Sequence, residues 1–246
     1  MQPEEYRKLA RVEATMWWFV ALRRLLLGEL SLGTLPLGSR VLDAGCGTGA
    51  MLAVLQSALP GSLAIGLDLD ALAASLARNT TGAAMVRGSI ASMPFATGSL
   101  QAIVSADVLC HAGVDLDRTL LELRRCLATG GLLVLNLPAY PWMLSAHDRA
   151  VSNTRRFTYR ALKRSVEQAG FFMEDGGYWN SLLFPVMVMH RLTSAILGSG
   201  SSDVREFPAW QNRLFMAILA FESRLRAVGI RMPFGGSLCM RCRKPA

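Results

Sequence analysis

Apolar residues along this chain fall into two kinds of pattern. Short, nearly unbroken runs stand at 40–42, 63–68, 83–88, 100–105 and 132–137. Runs of that length, bounded by turn residues, are how strands buried on both faces read. Between them lie segments with helical spacing of apolar positions, at 51–59, 71–79, 116–127 and 159–169. Strand and helix in alternation predict a parallel sheet covered on both faces. Two later runs, 171–179 and 235–242, read as strands six and seven. Pro60-Gly61, Thr80-Thr81-Gly82 and Thr129-Gly130-Gly131 supply turns, while Thr158 and Gly170 read as the cap and stop of the 159–169 helix.

Two stretches stand outside that alternation. Residues 3–32 predict one long helix, with Glu4 and Glu5 in the first turn and apolar positions at Leu22, Leu25, Leu26 and Leu30. Within it, Met16-Trp17-Trp18-Phe19 sets aromatics side by side, and adjacent residues cannot share one helix face. Core packing and a cap folded over a ligand are equal readings of that segment. Residues 182–233 predict two helical segments around Gly198-Ser199-Gly200-Ser201-Ser202. The first is apolar, with Met187 and Met189; the second carries Arg213, Arg224 and Arg226. A lid over an apolar substrate leads, a dimer interface comes second, and an interfacial membrane helix third. The expected plan is an N-terminal helical cap (1–37), a core (38–181), a helical insertion (182–233) and a final core strand (234–246).

Val41-Leu42-Asp43-Ala44-Gly45-Cys46-Gly47-Thr48-Gly49-Ala50 organises the core. A strand runs into an acid and then into alternate glycines, which allow a ligand to sit against bare backbone at a helix N-terminus. Gly45-x-Gly47-x-x-Ala50 also satisfies the dinucleotide fingerprint. Asp43 argues against a dinucleotide, because a carboxylate there repels a pyrophosphate and suits a ligand ammonium. S-adenosyl-L-methionine (SAM) has an ammonium and no phosphate. Asp68 ends the second strand roughly 20 residues past the loop, where an acid reaches ribose hydroxyls. Asp70 fits a helix cap instead. The 89–95 loop is expected across the adenine.

These pieces, with Met93-Pro94-Phe95, Val108-Leu109-Cys110-His111 and Thr129-Gly130-Gly131, resemble a class I SAM-dependent methyltransferase over 41–138. The resemblance implies a Rossmann-like seven-stranded sheet of order 3-2-1-4-5-7-6 with the last strand antiparallel. It implies SAM as cofactor, held by Asp43, Gly45, Gly47, Gly49, Asp68, Leu69, Ser89, Ile90, Ala106 and Asp107. Two positions depart from the family: Ser89 stands where an adenine-binding Asp is common, and Leu100-Gln101 where Phe-Asp is common. The early aromatic segment and Arg155-Arg156-Phe157-Thr158 are similar to a bacterial subgroup acting on sugar-, lipid- or natural-product-type acceptors. On that basis Trp17, Arg23, His111, Tyr140, Arg155 and Arg156 are the expected substrate contacts. A solvated basic face is an equal reading of Arg155 and Arg156.

Composition narrows the picture less. The chain has 246 residues, 52% of them hydrophobic, and a formal net charge of +8. That charge suits an anionic substrate, a nucleic acid or an acidic membrane surface. Five cysteines without regular spacing point to a reducing, cytoplasmic setting. The acidic start is not a signal peptide, and Arg23, Arg24, Pro185 and Arg191 interrupt the longest apolar stretches. Cys239-Met240-Arg241-Cys242 has no second pair and would place its thiols on opposite strand faces, so no metal is expected.

Methyl transfer to oxygen needs a base, and histidine suits neutral pH. His147, in the loop after the fifth strand, is the candidate catalytic residue, with a hydrogen-bonded loop histidine as the competing reading; His190 reads as packing or lid contact. The expected activity is transfer to an O or N atom of a small, partly apolar or anionic acceptor. A catalytically silent SAM-binding partner subunit and an RNA methyltransferase are the alternatives. Nucleic acid is not the expected partner, whereas a homodimer and contact with a membrane surface remain open readings.

Overall fold

The computed structural model describes residues 3–32, 35–197 and 206–245. Gly33 and the 198–202 linker lie outside the described residues. The strands are β1 (Arg40–Ala44), β2 (Leu63–Asp68), β3 (Ala84–Arg87), β4 (Leu100–Ala106), β5 (Leu127–Pro138), β6 (Phe172–Trp179) and β7 (Ser237–Arg243). They form one sheet in the order β3-β2-β1-β4-β5-β7-β6, the order expected. Central β1 pairs in parallel with β2 and β4, Val41 standing beside both Ala64 and Ala102. β7 runs antiparallel between β5 and β6.

Strand alternation divides the core into two layers. Leu42 and Ala44 enter one layer with Leu120 and Leu123 of α5 (Leu116–Cys126) and Leu162 and Val166 of α7 (Tyr159–Gln168). Val41 enters the other, with Leu22, Leu26 and Leu30 of α2 (Trp17–Leu32) and Leu52 and Leu55 of α3 (Ala50–Ala58). Cys239 joins the second layer and Cys242 the first, as a period of two requires. Because β1, β2, β4 and β5 are parallel, the loops leaving their C-terminal ends gather at one edge of the sheet.

Three expectations need correction. The N-terminal segment is two helices, α1 (Pro3–Val12) and α2, not one. Arg23 donates to the carbonyls of Glu13 (2.6 Å) and Ala14 (3.3 Å), satisfying backbone groups that a continuous helix would use. β5 begins at Leu127 rather than after the glycines. Gly130 and Gly131 exchange backbone hydrogen bonds with Lys244, just past the end of β7, so the strand already begins before them. The stretch after β5 is more than a loop: it holds a 3₁₀ turn, Pro141–Met143, and a short helix, α6 (Ala146–Ala150).

α4 (Ala71–Thr81) starts on Asp70, whose carboxylate accepts from Leu72 and Ala73. Between β6 and β7 stand α8 (Phe184–Leu197) and α9 (Ala209–Ala227). Buried Glu222 of α9 accepts from the backbone amides of Ser181 (2.8 Å) and Leu182 (3.1 Å). Arg226 reaches Glu29 of α2 at 2.9 Å and Asp175 of β6 at 2.8 Å. The neighbouring tryptophans do face two surfaces: Trp18 stacks on Trp179 at 4.7 Å, and Trp17 meets Phe215 of α9 edge-on at 5.1 Å.

Candidate functional site

A cavity of about 1110 Å³ opens at the C-terminal edge of β1, β2 and β4 and runs beneath α2, α8 and α9. Its first end is acidic. The glycine loop is pinned to β2 because the amides of Gly45 and Cys46 donate to the Leu67 carbonyl at 2.8 and 3.0 Å. Asp68 Oδ2 accepts from Gly47 N at 2.9 Å, and its Oδ1 from Asp70 N at the same distance. Gly45 has φ +84°, and an added Cβ would lie 2.2 Å from Val108 Cγ2. Gly47, at φ +54°, faces open space. Only glycine holds both conformations without strain while leaving that space clear.

Asp43 is 2% exposed, and its Oδ2 has no hydrogen-bond partner among the described residues. Burial, then the charges of Asp68 and Glu13, push its carboxyl up to about 7. Burial raises Asp68 as well, against the backbone amides that hold its charged form. Glu13, from the turn after α1, also lines this end and bonds the Thr48 hydroxyl. A buried acid with one oxygen unpartnered, beside an open glycine cradle, fits a ligand that brings a cation and lies close to backbone.

The other end mixes apolar and basic groups. Trp17, Leu183, Val186, Met187 and Phe215 form an apolar wall. Trp17 Nε1 is buried without a hydrogen-bond partner among the described residues. Asp148 of α6 is fully buried between Arg156 (2.8 Å) and Arg191 of α8 (3.0 Å). Burial raises the Asp148 carboxyl, but the bonds and charges of the two arginines outweigh it and hold the group at about 2. His111 is driven down to about 4, chiefly by burial, and is neutral at pH 7. Asp107, at φ +55°, accepts from Asn136 Nδ2 at 3.0 Å, and Asn136 Oδ1 in turn accepts from Trp179 Nε1 at 2.6 Å. Burial lifts Asp107 to about 7 against the opposing pull of Arg156 and Asn136.

Of the residues expected at the site, Asp43, Gly45, Gly47, Asp68, Leu69, Ser89, Ile90, Ala106, Asp107, Trp17, Arg23, His111 and Arg156 line this cavity. Three expected residues do not. Gly49 packs α3 on α4, an added Cβ lying 2.9 Å from Ala77 Cα. Arg155 turns away to bond the carbonyls of Leu109 (2.8 Å) and Val114, which pins the loop after β4. Tyr140 stacks on Tyr178 at 5.2 Å outside the cavity. His147 falls in α6, and its side chain is outside the described residues. Glu13, Thr48 and Arg191 are additions that sequence reasoning missed. Their contacts join residues 35 and 43 positions apart, and no local pattern announces them.

Residues 42–135 match the methyltransferase domain family. The ribosomal RNA small subunit methyltransferase C of Pseudomonas aeruginosa is 37% identical over 134 residues, 50% of this chain and 39% of that protein. The malonyl-[acyl-carrier protein] O-methyltransferase of Dechloromonas aromatica is 36% identical over 97 residues, 39% of this chain and 36% of that protein. This chain therefore spans under half the length of these two curated relatives. The geranyl diphosphate C-methyltransferase of Streptomyces coelicolor superposes with a TM-score of 0.60 at 16% identity, covering 92% of this chain and 79% of that one. The chain thus has a class I SAM-dependent methyltransferase fold, and over 42–135 its sequence matches the methyltransferase domain family. Fold, domain and cradle together support SAM as the cofactor.

Proposed function

We propose that this chain, built on the class I SAM-dependent methyltransferase fold, is an enzyme that moves a methyl group to an oxygen or nitrogen of a small, partly apolar acceptor. The observation that carries the reading is the single cavity in which an acidic cradle meets an aromatic wall. Its volume of about 1110 Å³ exceeds the roughly 300–1,000 Å³ of a usual single-ligand site, which leaves room for a second molecule beside the first. When bound, SAM supplies an electrophilic methyl group on a sulfonium.

The chain's own residues would hold and align. Asp43 would face the ammonium and Asp68 the ribose hydroxyls, with Gly47 giving the close backbone approach. Ser89 and Ile90 would flank the adenine. Trp17 and the wall from α8 and α9 would receive the acceptor's apolar body and exclude water. The acceptor's proton is assigned to His147. Its neighbour Asp148 lines the cavity, and His111, held near a pKa of 4, is too weak a base to compete.

RNA as acceptor is the second reading, drawn from the net charge of +8 and the likeness to the Pseudomonas enzyme. The roof of α8 and α9 over the cavity favours a small molecule. Calorimetry with SAM, followed by release of S-adenosylhomocysteine over a panel of apolar alcohols, amines and acids, tests the proposal. SAM binding with no turnover on any small acceptor or RNA would instead identify a silent partner subunit.

A further inference from the structure

We propose that the outward face of α9 docks this protein on an anionic lipid bilayer. Trp210, Leu214 and Phe221 of α9, and Val228 that caps its C-terminus, stand at intervals that place them within about 40° of one another around a helix of 3.6 residues per turn. They are 68%, 48%, 54% and 74% exposed. Single exposed apolar residues are ordinary; a stripe of three large ones along one helix, continued by its C-cap, is not. The inward face does not need them. Leu219 is buried there, and Gln211 and Phe215 line the cavity. α9 is therefore apolar on two sides, one facing the site and one facing out.

The charges select the occupant. The acid of α9, Glu222, is turned inward onto the amides of Ser181 and Leu182, and Arg226 is turned inward onto Glu29 and Asp175. Arg213 and Arg224 stay exposed beside the stripe. The outward face thus carries cations and large apolar groups with no acid among them. A second copy is a poor fit, because a two-fold contact through this face would set arginine against arginine with no carboxylate to pair. A surface of anionic lipid supplies both the apolar depth and the negative charge. No helix among the described residues is long and apolar enough to cross a membrane, so the contact is with the surface. Docking in this way sets the roof of the cavity against the bilayer, and it stands whether or not methyl transfer is confirmed.

Flotation of the full chain with vesicles is the test. Vesicles of equal parts phosphatidylglycerol and phosphatidylcholine should carry the protein, vesicles of phosphatidylcholine alone should not, and added salt should release it. Arg213→Gln with Arg224→Gln should weaken binding about twenty-five-fold, each arginine near a charged surface contributing about five-fold. Trp210→Ser with Phe221→Ser should abolish it. All four positions are exposed, so circular dichroism should show an unchanged fold. Wild-type protein that stays unbound at low salt, or binding that survives both double variants, overturns the proposal. So does a concentration-dependent dimer that the serine pair disrupts while vesicles capture nothing.

Discussion

Arg191 of α8 sets its Nη1 3.0 Å from Oδ2 of Asp148, joining the insertion to the segment that follows β5. Arg156 holds the other oxygen of the same carboxylate at 2.8 and 3.0 Å. One buried acid thus ties the roof of the cavity to its floor. Asp148→Asn would leave two guanidiniums without their counter-charge, and breaking such a pair costs about 3–5 kcal/mol. Urea denaturation should show that loss. The wild-type carboxyl lies near 2 when folded against about 3.9 unfolded. Its stabilising effect is therefore complete above about pH 4 and disappears as pH falls toward 2. The Asn variant should lack that acid-side decline.

SAM affinity should depend on pH through Asp43. The acid sits near 7 in the free protein, and a bound ammonium favours its charged form. Below pH 7 the group must lose a proton before it can pair, so affinity should fall by up to about tenfold per pH unit. Calorimetry of Asp43→Asn should show weaker binding that is flat across pH 6 to 8. A wild-type profile equally flat would remove Asp43 from the ammonium site.

Asp68 makes two backbone bonds of its own, to Gly47 and Asp70. Asp68→Ala should lose those as well as the ribose contact. SAM binding should weaken by at least about 1.5–3 kcal/mol, the range for hydrogen bonds to a charged group. Unchanged affinity in calorimetry would reject the assignment.

Trp17→Phe keeps the edge-on packing against Phe215 and deletes the buried indole N–H. If that group meets the acceptor, KM for the acceptor should rise roughly two- to tenfold, the loss of one ordinary hydrogen bond, while SAM affinity holds. A normal KM would leave Trp17 as wall alone.

His147→Ala should cost about 100-fold or more in turnover if His147 is the base, with rate returning at high pH for an ionisable hydroxyl acceptor. SAM affinity should not change. A near-normal rate for His147→Asn across pH would leave alignment and desolvation as the mechanism.

The core was legible because its signals are local. Unbroken apolar runs such as 63–68, an acid before alternating glycines, and Asp70 or Thr158 at helix starts each depend on a few neighbouring positions, and each led to the right element. The helix break at Glu13 was hidden, because it depends on a guanidinium ten residues away rather than on a breaker in the segment. Arg155 and Arg156 show the same limit. As neighbours in one basic stretch they read alike, yet Arg155 closes onto Leu109 and Val114 while Arg156 enters the cavity to meet Asp148.

By itself, then, the sequence determined the strands, most of the core helices and the acidic glycine cradle, since those follow from periodicity and backbone stereochemistry, while the order of the strands followed from the resemblance to a family. Tertiary structure decided which polar and charged groups meet. Glu13 reaches Thr48, Arg191 reaches Asp148 and Arg226 reaches Glu29 across 35, 43 and 197 positions. It also decided which side of α9 faces the site and which faces out. Such pairings depend on the angles at which helices settle on the sheet, and burial then makes each one count, because a charge withdrawn from water must find its partner wherever the fold has placed it.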